Sequence, residues 1–204
     1  MHRQNWRILG FAAFSLALTL GAGQAQETVR VRGTLERMDG DAYIIKTREG
    51  NEYKVMLTEK PMVVANVKAS MADIKPGSYV GVTGMPQADG SQRAVEVHIF
   101  MESMRGTGEG HYDWDLQPQS TMTNGNVEQA VTAVDGQSLT VKYKDGEKKI
   151  AVVPQTSIVS YAIGDMAEIK PGTKIFIAAA KKQPDGSRLT PRINYGRDGI
   201  APPM

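Results

Sequence analysis

The chain has 204 residues, with 24 Lys and Arg against 22 Asp and Glu, and it contains no cysteine. The lack of cysteine excludes disulfides and a lipid-modified N-terminal cysteine, so stability must come from apolar burial. Arg3 and Arg7 account for the whole positive excess, because the other 22 basic residues equal the acidic ones in number. Binding to nucleic acid depends on clustered Lys and Arg, so this charge balance disfavours a nucleic-acid partner.

The first 25 residues have the order of a secretory signal peptide. Arg3 and Arg7 precede thirteen uncharged residues, 8–20, and the small residues that follow end at Ala25. This order predicts cleavage after Ala25 and a mature chain that is periplasmic or secreted. The alternative is an uncleaved anchor, which the short apolar stretch disfavours because a spanning helix needs about 20 apolar residues.

The rest of the chain contains an internal repeat with an offset of 95 to 96 residues. The segment Met-Ala-Asp-Ile-Lys-Pro-Gly at 71–77 returns as Met-Ala-Glu-Ile-Lys-Pro-Gly at 166–172. Asp-Gly at 39–40 and Asp-Gly-Ser at 89–91 also return at this offset, in the same order. Two copies are too few for a solenoid, so the repeat indicates duplicated domains.

Each copy contains five strand-like segments that are bounded by turn residues. In the first copy they cover residues 29–38, 43–47, 53–57, 78–83 and 94–100; in the second they cover 127–134, 139–143, 150–153, 173–179 and 189–195. The Lys-Pro-Gly segments predict tight turns before the fourth strands, with Gly77 and Gly172 at positive φ. One helical turn at most precedes each of them.

Three strands, a short turn and two further strands are the element order of an OB-type barrel. We therefore expect an all-β fold of two tandem, small, OB-like five-stranded barrels. The expected domains are residues 28–100 and 127–196, joined by a Gly-rich connector, 101–126, and followed by a tail, 197–204. Domains of this size bury little surface alone, so the two copies are expected to share an interface.

Several of these segments resemble a family of exported bacterial OB-like domains whose function is unknown. The resemblance rests on the Ile-Lys-Pro-Gly turns, the Asp-Gly-Ser hairpins and the Val-Glu-Val strand at 95–97, which the second copy lacks. The connector is similar to that of exported proteobacterial proteins that are sometimes labelled metal transporter permeases. This chain departs from that label, because no segment after residue 25 is apolar enough to span a membrane.

The connector is the predicted binding segment, since it occurs only once and rigid barrels often position functional loops. It carries the only tryptophan after residue 25. The aromatic residues could instead join the two barrels as an apolar plug. Its Gly-rich part lacks the Gly-Lys-Ser/Thr ending of a phosphate loop and is more typical of a turn. The candidate binding residues are Arg105, Glu109, His111, Tyr112, Asp113, Trp114 and Asp115.

A copper site is the alternative chemical hypothesis, because imidazole and thioether groups suit copper outside the cytoplasm. The candidate ligands are His98, Met101, Met104, His111 and Met122. Methionine also fills irregular cores, so these residues could serve packing alone. No other cofactor is implied.

Catalysis is the least favoured reading. A hydrolase could use Ser103, His111 and Asp113, but no spacing selects these residues. We therefore expect a non-catalytic binding or accessory protein of the cell envelope. Its partner would be a periplasmic protein or a small ligand, and copper handling and hydrolysis remain the alternatives.

Overall fold

The computed structural model describes residues 27–133 and 136–203, so the predicted signal peptide lies outside the described residues. The described chain is all-β, with short 3-10 turns and no α-helix. Within this range no helix is long and apolar enough to cross a membrane. The strands are β1 Thr28–Asp39, β2 Ala42–Thr47, β3 Glu52–Lys68, β4 Tyr79–Pro86, β5 Gln92–Ile99, β6 Gly110–Asp113, β7 Thr121–Ala133, β8 Gly136–Tyr143, β9 Gly146–Val152, β10 Ser157–Ile163, β11 Lys174–Lys182 and β12 Arg188–Gly196.

Five strands close into a mixed barrel in the order β1-β2-β3-β12-β11, which we call the first barrel. All neighbours are antiparallel except β3 and β12, which run parallel. Alternate residues point inward, as the period of a strand requires. The core is apolar and includes Val31, Leu35, Ile45, Ile177 and Ile193, none of which is exposed to solvent.

A second set of five strands, β5-β4-β7-β8-β9, forms what we call the second sheet. Its neighbours are antiparallel, and β5 also meets β9 in two parallel pairs, Gln92 with Ile150 and Arg93 with Ala151. This sheet encloses its own apolar core, which includes Val80, Val97 and Val141. The first barrel and the second sheet therefore each enclose an apolar core.

The pairing corrects the expectation that each repeat closes on itself. The first barrel combines β1, β2 and β3 of the first repeat with β11 and β12 of the second. The second sheet combines β7, β8 and β9 of the second repeat with β4 and β5 of the first. Because the two repeats have the same apolar alternation, a fourth strand fits either copy, and exchange of equivalent elements between copies is an inexpensive route to association.

The third strands also differ from the sequence expectation. In the first repeat β3 runs on to Lys68, whereas its counterpart in the second repeat is interrupted around Pro154 and continues as β10. The ends of β3 and β10 pair antiparallel, with Asn66 opposite Tyr161. Adding the 95-residue offset to Asn66 gives Tyr161, so this pair marks the centre of an approximate two-fold relation between the repeats. The repeats are thus joined through a shared strand pair, in line with the expected interface.

The two Lys-Pro-Gly turns have the predicted conformation. Gly77 and Gly172 have φ values of 86° and 93°, which L-residues with a side chain rarely adopt. The amide of Gly77 donates to the carbonyl of Val127 at 2.7 Å, and that of Gly172 donates to Leu35 at 2.8 Å. Each turn therefore fastens a fourth strand to the first strand of the other repeat.

A third cluster of buried side chains lies between the first barrel and the second sheet, and we call it the central layer. It is rich in aromatic residues and methionines, and the connector packs against one side of it. Its members are Val64, Tyr79, Phe100, Met104, Met122, Tyr161 and Phe176, with Met101, Trp114 and Ala178 partly buried beside them.

Candidate functional site

The predicted connector is an ordered segment that docks on the outer face of β1. The Asp115 carboxylate accepts a hydrogen bond from Arg32 at 2.7 Å and forms an ion pair with Arg30 at 3.1 Å. The guanidinium carbon of Arg30 lies 3.9 Å from the centre of the Trp114 ring, a cation–π geometry. Trp114 and Asp115 thus contact the protein's own arginines.

Trp114 also packs against the central layer, and the Tyr112 ring meets it edge to face at 6.1 Å. The connector forms strand β6, which pairs with β7, and the first residues of β7 lie within the predicted connector range. Trp114 therefore joins the first barrel to the second sheet, as the apolar-plug hypothesis for this segment expects.

Arg105 lies beside Tyr79 on the outer face of the second sheet. Its guanidinium binds the Glu102 carboxylate at 2.6 and 2.7 Å, donates to the carbonyl of Gly77 at 3.0 Å and reaches the Asn126 side chain. It also lies 5.8 Å from the ring centre of Tyr79. Arg105 is therefore engaged in contacts within the chain.

The other predicted connector residues divide into two groups. Glu109 and Asp113 are exposed. The Tyr112 hydroxyl accepts a hydrogen bond from Asn124 at 3.2 Å, and burial raises the pKa of Tyr112. His111 lies 2.8 Å from the Thr123 hydroxyl, and its pKa is lowered by burial and then by the charge of Lys148.

The proposed copper ligands do not surround one point. Residues opposite each other in neighbouring antiparallel strands share a face, and successive residues alternate between faces. His98 lies opposite Gly81, which lies opposite Asn124, whereas His111 lies opposite Thr123. The two histidines therefore point to opposite faces of the second sheet, which corrects the five-ligand hypothesis.

The three methionines of that set are packing residues in this structure. Met104 and Met122 are buried in the central layer, and Met101 is partly buried beside it. Among the described residues, no group of three or more His, Cys, Asp or Glu side chains is arranged to hold a metal ion.

His98 belongs to a buried polar cluster that the sequence did not single out. Its Nδ1 lies 3.2 and 3.3 Å from the Glu96 carboxylate oxygens, and the Thr83 hydroxyl donates to the same carboxylate at 2.6 Å. The His98 ring stacks on Tyr161, with ring centres 5.0 Å apart. Burial, and then the Glu96 charge, raise the pKa of Tyr161 well above its ordinary value. Since Glu96 and His98 are each only 1% exposed, this cluster is closed to ligands.

The accessible candidate site is a basic cleft on the outer face of the first barrel, where β1, β2 and β11 lie side by side. Its volume is about 310 Å³. Four cationic residues line it, together with neighbouring backbone and the tail residues Ala201 and Pro202, and no acidic residue is among the lining. The four are Arg32, Lys46, Arg48 and Lys174, and we call the site they form the basic cleft.

Strand register explains why these side chains converge. Thr34 of β1 lies opposite Lys46 of β2 on one side and opposite Lys174 of β11 on the other. The three residues therefore form one row on the outer face, and the Lys174 ammonium donates to the Thr34 hydroxyl at 2.9 Å. Lys46 and Lys174 come from different repeats, so only the observed strand exchange places them together.

Two carboxylates lie close to the basic cleft without lining it, Asp115 beside Arg32 and Glu49 beside Arg48. The pKa of Glu49 is lowered first by a hydrogen bond from Thr47, and to a smaller extent by the charges of Arg48 and Arg32. A larger groove of about 590 Å³ lies near Lys68 and Ser157, but Lys68 is its one charged lining residue.

No protein-family model, no curated protein and no solved structure matches this chain significantly.

Proposed function

We propose that this chain is an exported, non-catalytic binding or accessory protein of the cell envelope, and that it holds an anionic group in the basic cleft. The carrying observation is that four cationic residues line one cleft of about 310 Å³ without an acidic residue among them. The export part of the proposal rests on the signal-peptide pattern of residues 1–25.

The chemistry of the cleft favours phosphate or carboxylate groups. Lysine binds such groups as a point charge, and arginine offers a fork of donors that matches their oxygens. Lys46, Arg48 and Lys174 are exposed, so a ligand can reach them from solvent. The concave shape brings the cations around one volume, which a flat charged surface would not do.

The second sheet supplies an internal reference. The row of Lys46, Thr34 and Lys174 corresponds there to Lys142, Asn126 and Tyr79. In that row a neutral phenol replaces the second lysine, and the Arg105 guanidinium lies against that phenol and the Asn126 side chain. The corresponding rows of the two repeats therefore differ, since the lysines of the first barrel are exposed, whereas Tyr79 and Asn126 of the second sheet are covered by another residue of the chain.

Calorimetric titration of the mature chain with inorganic phosphate and pyrophosphate tests the proposal. We expect binding that weakens at high salt, since charges near the surface are screened. The combined variant Lys46→Gln/Arg48→Gln/Lys174→Gln should lose at least about tenfold in affinity, because charge-assisted contacts dominate such sites. The matched control is Lys142→Gln/Lys144→Gln at the corresponding positions of the second sheet. Equal binding by both variants would contradict the proposal.

A further inference from the structure

The basic cleft continues along β1 to a second cationic position. Residues on one face of a strand recur about every 7 Å, so Thr34, Arg32 and Arg30 form a line that leads out of the cleft. Arg32 belongs to both parts, since it lines the cleft and also binds Asp115. The cationic surface is therefore longer than the cleft alone.

An anionic group already occupies this second position, and the chain provides it. The Asp115 carboxylate places one oxygen 2.7 Å from Arg32 and the other 3.1 Å from Arg30. Burial works to raise the pKa of Asp115, but the hydrogen bond and charge of Arg32, followed by those of Arg30, lower it overall. The two arginines thus form a working anion site.

The contact is also accessible. The side chain of Asp115 is 50% exposed and that of Arg30 is 34% exposed, while that of Arg32 beneath them is 15% exposed. Exposed ion pairs of this kind contribute little to stability, so a competing anion can replace the carboxylate without unfolding the protein. Asp115 therefore lies where it would compete with an external anion for Arg30 and Arg32.

We propose that the basic cleft and the Arg30–Arg32 pair form one elongated site for a chain molecule with repeated anionic groups, and that such a ligand displaces Asp115. This inference rests on the proposed function. A single phosphate ion occupies the cleft alone, whereas a linear polyanion reaches both positions. The ligand chemistry is a row of phosphate or carboxylate groups, and a comparison of polyphosphate with polygalacturonate distinguishes the two.

Trp114 reports on the displacement. It is the only tryptophan outside residues 1–25, and the Arg30 guanidinium covers its ring at 3.9 Å. When Asp115 leaves the arginines, the surroundings of the ring change. We expect long-chain polyphosphate to change the Trp114 emission more than inorganic phosphate does, because only the longer ligand reaches Arg30, which covers the ring.

The decisive comparison uses Asp115→Asn with Asp113→Asn as its matched control, because Asp113 is an exposed carboxylate two residues away. Asp115→Asn should bind long-chain polyphosphate about two- to fivefold more tightly than wild type, the range set by an exposed ion pair. Its affinity for inorganic phosphate should rise by a smaller factor, because phosphate in the cleft meets Arg32 but not Arg30, and Asp113→Asn should behave as wild type. Polygalacturonate, a chain of carboxylates, replaces polyphosphate in the second arm; a preference between the two probes identifies the anionic group.

The possible results separate the two proposals. If inorganic phosphate binds through the cleft lysines but Asp115→Asn leaves both polyanion affinities at the wild-type value, the elongated site is wrong and the basic cleft stands. If the triple cleft variant binds phosphate and both polyanions as wild type does, the proposed function itself is wrong.

Discussion

The outer faces of the first barrel and the second sheet have corresponding backbones, but they carry different side chains at corresponding positions. In the second sheet Gly81 lies opposite His98, and the corresponding pair in the first barrel is Phe176 opposite Asn194. Likewise Glu96 corresponds to Arg192 through the 96-residue offset of the repeat. The face of the second sheet therefore buries a glutamate beside His98, whereas the face of the first barrel carries an arginine at the corresponding position and is partly open.

This difference shows how two copies of one fold can present surfaces with different packing and charge. In the second sheet a small residue, Gly81, leaves room for the His98 ring, and Arg105 lies beside Tyr79. In the first barrel Phe176 supplies the bulk that packs the central layer, and lysines remain at the surface. The face of the second sheet is therefore largely used for packing, whereas the face of the first barrel keeps exposed cations.

The largest effect is expected when the buried pair of the second sheet is broken. Glu96→Ala leaves His98 and the Thr83 hydroxyl without the carboxylate they contact. A buried polar group that is left without its partner costs about 1–3 kcal/mol of unfolding free energy, and this variant leaves two such groups. Denaturant unfolding measures this loss, and Arg192→Ala at the corresponding position of the first barrel is the control. If Glu96→Ala loses no more unfolding free energy than the control does, the two faces do not differ in their contribution to stability.

A smaller effect is expected when the space above Gly81 is filled. A Cβ at this position would stand 2.1 Å from His98 Nε2 and 2.5 Å from Asn124 Oδ1. Both side chains are held by other contacts, so Gly81→Ala should destabilise the protein by about 1–3 kcal/mol, as overpacked cores do. The matched control is Gly146→Ala, whose Cβ would find its nearest neighbour at 3.3 Å, the Tyr143 hydroxyl. Similar melting temperatures for the two variants would contradict the assignment of Gly81 as a space-maker.

The sequence predicted the local structure of both regions well. The all-β class, the turns around Asp89 and Asp185, and the positive φ of Gly77 and Gly172 follow from residue preferences that act over a few positions. The expected third strand, 53–57, is too short, since β3 runs on to Lys68. The structure places Pro61 within β3, where the register against β12 shifts.

The candidate site could not be predicted from the sequence, for a different reason. The lysines at 46 and 174 have no special spacing, and they meet only because β11 pairs with β1 rather than with its own repeat. Two copies with one apolar pattern leave that choice undetermined. The connector stands out in the sequence because it occurs only once, and in the structure its Trp114 and Asp115 contact the chain's own arginines.

The smallest expected effect concerns Tyr79, which stands where the first barrel has Lys174. Burial, followed by the charges of Glu109 and Tyr112, raises the pKa of Tyr79 to about 12, while Arg105 lowers it. Because the folded pKa lies above the ordinary value of about 10, folding favours the neutral phenol. The resulting stabilisation is fully present below pH 10 and is lost as the pH rises through 12.

Absorbance titration of the phenolate measures this ionisation, and the difference between wild type and Tyr79→Phe isolates it from the other tyrosines. We expect a transition near pH 12 in the difference curve. Arg105→Gln should move it to still higher pH, since the nearby positive charge favours the phenolate, and Glu109→Gln should move it to lower pH. Lys75→Gln, an exposed cation that does not contribute to the Tyr79 shift, is the control and should leave the curve in place. A difference transition near pH 10 in wild type would mean that the Tyr79 hydroxyl is exposed to solvent, as the lysines of the basic cleft are.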